Sequence, residues 1–353
     1  MDRIWWERVP NALQFLNDLT GTICSGKSII IQSDSSIPWK NTMMEELFER
    51  IRLRSYQKRL ELLENVDDPG DYLLQEFCKK EKRVLYRPNI SYAAFFAAND
   101  DIVLHDRFFW VKISDEDNLS DWTDFISEYR RERAKSKDKR TAVFILEWKG
   151  KRTAFAKKGI HEYSLSEYIG EYDRIVFNSL AAASVKEPLF IKTYLSQLAS
   201  EVIDNDIELC AACIKDFQAF LKDPYSVIQE VISRSAHENG EPFFFDRSPQ
   251  DISHCIWKAQ IKMIYPLLEE YRENFVRKYF LQIKPHLPIK TAYNEQYLVP
   301  EDVELGTLHY MASCRLLQIP QNEYEELTTY KTARNKLSHL ENLSFDEVKK
   351  LNC

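Results

Sequence analysis

The chain has 353 residues, 44% of them hydrophobic and 29% charged, which excludes intrinsic disorder and leaves room for two or three domains with buried cores. Its 48 Lys and Arg against 55 Asp and Glu give a net charge of -7, which excludes wrapping duplex DNA by bulk charge. No apolar run of about 18 residues is present to span a bilayer, and the start, MDRIWWERVPNALQFL, lacks the basic-then-apolar order of a secretory signal, so a cytoplasmic chain with no membrane partner is expected.

In chain order, short apolar runs predict strands at Ser28–Gln32, Arg59–Glu64, Phe108–Ile113, Ala142–Glu147 and Asp173–Phe177. Amphipathic segments near 40–56, 70–81, 90–98 and 120–136 predict helices between them. Apolar strands joined by helices imply a mainly parallel sheet covered on both faces, so residues 1–180 are expected to form an α/β domain. The basic stretch RRERAKSKDKR, 130–140, reads as a solvated helix end and loop.

After Asn178 the pattern turns helical, as a middle segment (181–247) and a C-terminal domain (248–353). Asp223-Pro224 marks a helix start, and HENGEPFFFDRSP, His237 to Pro249, reads as an interdomain loop. Ser248-Pro249 opens a long helix that Pro266 should kink and PHLP, 285–288, should close. Further helices are predicted from Pro300 to about Gln318 and from about Gln321 to Glu341, then a short one with a Ser344/Glu347 capping box. The helical middle suits either a lid on the first domain or an extension of the last. The seven cysteines, an odd and scattered set, fit a reducing compartment, and Cys210 and Cys213 form a CxxC inside a helical pattern, where a buried pair is expected rather than zinc.

Gly21-Thr-Ile-Cys-Ser-Gly26-Lys27-Ser28 satisfies G-x-x-x-x-G-K-[ST], but that motif needs a strand to enter and a helix to leave, so that backbone amides face the phosphates. Here a helix enters and a strand leaves. The phosphate-loop position lies one strand later, between SIIIQ and MMEELFERI, where QSDSSIPWKNT has no glycine and Asn41 splits Lys40 from Thr42. The strand AVFILE would deliver Glu147 to its C-terminal end, as a Mg²⁺-side strand does. With this strand order, the first domain resembles a degenerate P-loop ATPase of the AAA-like or STAND-like kind, with Lys27, Ser28, Lys40 and Glu147 as nucleotide-side candidates. That resemblance implies a domain that has lost hydrolysis and serves as a sensor or scaffold.

In TTYKTARNKLSHLENL, helical periodicity puts Ala333, Leu337 and Leu340 on a buried stripe and fans Arg334, Asn335, Ser338 and His339 over the opposite face. No other histidine has an arginine five residues before it. The Arg-Asn-x3-His pattern in a terminal helical region resembles the HEPN family, whose nucleases pair two protomers and cut RNA without metal or cofactor. The resemblance implies that His339 acts as acid or base at the ribose 2′-hydroxyl or leaving oxygen, Arg334 stabilises phosphoryl charge, and Asn335 orients the phosphate or the histidine. Ser338, Glu304 and His309 are supporting candidates, although His309 also reads as an ordinary helix histidine.

A sensor-like domain fused to a HEPN module resembles bacterial phage-defence effectors. The expectation is a homodimeric, metal-independent endoribonuclease with RNA as substrate and defence proteins as partners. The competing expectation is a non-catalytic HEPN-like scaffold. Trp5-Trp6 is expected to anchor the first helix or a partner.

Overall fold

The computed structural model describes residues 1–54, 59–99, 104–136, 140–150, 157–203, 205–290 and 296–351. Residues 55–56 of the helix expected at 40–56, and 137–139 of the basic stretch, lie outside them. Contacts divide the chain into two compact units, one of residues 1–177 and 237–241, the other of 178–236 and 242–353.

The first unit holds strands β1 (Ser28–Ser33), β2 (Arg59–Leu63), β3 (Arg107–Lys112), β4 (Val143–Lys149) and β5 (Ile160–Ser164). They form one sheet in the order β2-β3-β4-β1-β5, every neighbouring pair parallel. Parallel neighbours require crossovers, and α3 (Lys40–Arg54), α4 (Pro69–Phe77), α5 (Lys80–Arg83), α6 (Tyr92–Ala98) and α7 (Glu116–Arg133) lie between strands, while α1 (Asp2–Arg8) and α2 (Pro10–Cys24) precede the sheet and α8 (Leu165–Tyr168) follows it. Strand β1, between β4 and β5, is buried along its whole length, and Ile29 pairs with Ile145 on one side and His161 on the other. Phe109, Phe144 and Leu146 pack with Leu73 of α4, Phe96 of α6 and Trp122 and Ile126 of α7. Fully burying side chains of this size stabilises by about 1.5–3 kcal/mol each. Trp5 and Trp6 are fully buried, so they anchor α1, with Trp5 edge-on to Phe177 at 5.7 Å.

One expected strand is corrected. Asp173–Phe177 lies in helix α9 (Glu171–Ala183), where the Asp173 carboxylate accepts from the Gly170 amide at 2.9 Å and Phe177 alone of the run enters the aromatic core fully. The fifth strand is Ile160–Ser164, an edge strand whose half-exposed IHEYS hides the apolar signal.

The second unit is mostly helical, with one short antiparallel pair of Ile289–Lys290 with Gln296–Tyr297: α10 (Leu189–Val202), α11 (Ile207–Lys215), α12 (Phe217–Lys222), α13 (Pro224–Arg234), α14 (Pro249–Lys278), α15 (Phe280–Ile283), α16 (Leu305–Ser313), α17 (Gln321–Ser338) and α18 (Phe345–Lys350). Capping boxes open α14 at Ser248 with Asp251 and α18 at Ser344 with Glu347. Helix α14 runs on through Pro266, which sits at an exposed position, where the carbonyl deprived of its donor can meet water. Cys210 and Cys213 are buried on α11, and burial pushes the Cys213 thiol up to about 12. Leu340 corrects the expected buried stripe: α17 ends at Ser338, Leu340 takes φ 61, and its side chain is 65% exposed.

Candidate functional site

Gly21–Ser28 is the end of a helix and the start of a strand. Gly26, at φ 77, donates to the Ile23 carbonyl at 2.9 Å and Lys27 to the Thr22 carbonyl at 3.3 Å, which closes α2 with the left-handed turn that glycine permits. Ser28 is buried, and its hydroxyl accepts from the Phe144 amide at 3.1 Å, so it joins β1 to β4, while Lys27 is exposed. The geometry that would face successive amides toward a phosphate is absent from this segment.

The loop from β1 into α3 has the required strand-to-helix order. Counting back from Lys40, Trp39 and Asp34 stand where G-x-x-x-x-G-K carries glycine. Trp39 nevertheless has φ 42, a left-handed conformation that costs about 1–3 kcal/mol for a residue with a bulky side chain. Packing holds it there: the Trp39 ring lies 5.5 Å from Phe177, and Trp6 Nε1 donates to the carbonyls of Pro38 at 3.0 Å and Trp39 at 3.3 Å. Lys40 then points across the end of the sheet to Glu147, with Nζ 2.6 Å from one carboxylate oxygen and 2.8 Å from the other. Trp110 Nε1 donates to the same carboxylate at 2.8 Å. The side chains of Lys40 and Glu147 are only 15% and 14% exposed, so a phosphate or cation entering here would have to break a largely buried ion pair.

A third element completes this place. Residues 237–241 form a tight turn: His237 and Glu241 pair backbone to backbone at 2.9 Å, Gly240 takes φ 83, and Asn239 Oδ1 accepts from the Glu241 amide at 3.0 Å. The turn presents two carboxylates. Glu238 accepts from the Asn41 backbone amide in the first turn of α3 at 2.8 Å, while the Thr42 hydroxyl, 3.4 Å from Glu238, lies nearer to Asp2 at 3.1 Å. Glu241 accepts from Lys149 Nζ at 2.7 Å and from Ser36 in the loop, and these bonds, that of Lys149 foremost, hold its carboxyl below the ordinary carboxylate range. Sequence reading treated His237–Pro249 as a loop and missed both glutamates; no local pattern marks residues whose partners lie 197 and 205 positions away.

In the helical unit, Arg334 lies on the last turns of α17 and pairs with Glu304, the residue before α16, at side-chain exposures of 30% and 49%. Asn335 is half-buried, Ser338 is exposed, and His339 is the exposed C-cap, its amide donating to the Asn335 carbonyl at 3.1 Å. His309 stacks on Tyr324 at 5.2 Å, and burial, then the charge of Lys331, holds its pKa below 6.5. The fold thus brings Glu304 to Arg334, whereas His309 is engaged with an aromatic ring.

An all-parallel five-stranded sheet with β1 between β4 and β5, a lysine at the start of the helix after β1 and a carboxylate near the end of β4 make the first unit an α/β domain, and the second unit is mostly helical. No family model matches the sequence, and no curated protein does. Among solved structures, the chain is similar to one described as the structure of C. elegans PCH-2, over 66% of this chain and 73% of that one, with a TM-score of 0.33 and 11% identity. Among the described residues, no helix is long and apolar enough to cross a membrane.

Proposed function

We propose that the chain is a non-hydrolysing regulatory or scaffold protein, in which the P-loop-like domain has become a structural sensor and the HEPN-like helical unit meets protein partners. One observation carries this reading: the lysine and carboxylate that a working site would turn toward phosphate and cation are paired with each other, Lys40 on Glu147. The pair is shielded from water, so its attraction is little screened, and no glycine lets backbone approach a phosphate. The resemblance to phage-defence effectors supplies the setting, a complex whose other members bring the chemistry.

The test is Mg²⁺-dependent ATP binding by the purified chain, followed by calorimetry. No saturable binding is expected up to roughly millimolar ATP. Micromolar binding that Lys40→Ala abolishes would overturn the reading, and loss in Lys27→Ala would instead revive the Gly21–Ser28 motif.

A second reading, a homodimeric metal-independent endoribonuclease, is favoured by the exposure of His339 within a helical turn or so of Arg334. In it His339 exchanges the proton, Arg334 neutralises phosphoryl charge once released from Glu304, and Asn335 positions the phosphate.

A further inference from the structure

We propose that the 237–241 turn is an intramolecular latch, its two carboxylates standing in for a bound anion and holding the β1–α3 loop shut. The first amides of any helix lack an intrahelical acceptor and favour negative charge. In α3 the amide of Asn41 is such a group, its side is open to solvent, and the acceptor it has is Glu238. Glu241 ties the same loop to the sheet, through Ser36 within the loop and Lys149 at the end of β4. Two anionic groups therefore sit on the helix N-terminus, a loop hydroxyl and a lysine, which is the donor set that would hold an oxyanion.

The turn is built to present them. Gly240 in the left-handed region, the Asn239 side chain on the Glu241 amide and the antiparallel bridge between Ala236 and Pro242 organise it locally. The grip itself is surface-exposed: the Lys149 and Glu241 side chains are 53% and 41% exposed, and exposed pairs are weak and screened by salt. A preformed turn holding on through weak contacts can release as a body, which distinguishes a latch from a core element.

This inference rests on the P-loop-like reading of the β1–α3 loop, but amide exchange reports the latch directly and ATP binding reports that reading separately. Hydrogen exchange is measured on the full chain as wild type and as Glu238→Ala/Glu241→Ala. Exchange at Asn41 and across 36–42 is expected to rise at least about tenfold in the double variant, with Ile29–Ile31 in β1 unchanged. Lys149→Glu should raise it as well, and adding Glu241→Lys should return part of that rise by restoring opposite charges between the two positions. Unchanged exchange at 36–42, an equal rise in β1, or no return in the charge-swapped variant would each overturn the proposal.

Discussion

Gln260 shows how much one side chain can decide. It is fully buried on α14, and both ends of its amide are used: Nε2 donates to the Leu343 carbonyl at 2.8 Å and to the Tyr194 hydroxyl at 3.0 Å, while Oε1 accepts from the Leu343 amide at 2.8 Å. It thereby ties α10, α14 and the segment leading into α18 at one point. Replacing it leaves both backbone groups of Leu343 buried without partners, so Gln260→Ala is expected to lower stability by about 2–3 kcal/mol, read as a drop in thermal midpoint. Gln260→Leu, of similar size, should not restore it. Nothing in WKAQIKMIY sets this glutamine apart from a surface one, because its partners lie 66 and 83 residues away.

At the scale of the element, local signals carried further. Ser248 accepts from the Asp251 amide at 3.2 Å and Asp251 Oδ2 accepts from the Ser248 amide at 3.0 Å, at the start of a 30-residue helix. Ser248→Ala should cost about 1 kcal/mol, measured as a shift in the urea midpoint of the helical unit, with Ser248→Gly losing less. The cap is readable because its donors and acceptors are three residues apart. Strands β1, β3 and β4 were readable from their buried apolar runs and edge strand β2 from its leucines, whereas edge strand β5, IHEYS, carries a single aliphatic residue and escaped. Asp173–Phe177 misled for the converse reason: a short apolar run does not distinguish strand from buried helix, and the packing of Phe177 on Trp5 and Trp39 selected the helix.

At the scale of the whole molecule, the net charge of -7 gives RNA little general attraction, and Glu304 neutralises the arginine that would meet a phosphate. The purified chain is therefore expected to leave defined RNAs intact in the presence of EDTA. Cleavage by wild type that is lost in His339→Ala would establish the ribonuclease reading and displace the scaffold one. That reading also requires a particle of twice the 41.8 kDa chain mass by light scattering, because a composite site needs two copies.

What the chain order alone determined is what neighbours within a few residues determine: the caps at Ser248 and Ser344, the glycine-closed end of α2, the helix-then-strand reversal at Gly21–Ser28, and the shift from strands to helices near Asn178. Which charge meets which was decided by tertiary structure. Any of 48 cations and 55 anions could pair on paper, and only the parallel register of β1 with β4 brings Lys40 to Glu147 across 107 residues. Only the turn at Gly240 carries Glu238 across 197 residues to an amide that the first turn of α3 leaves open. Charges act through space, so their partners are set by the fold that positions them and not by their spacing along the chain.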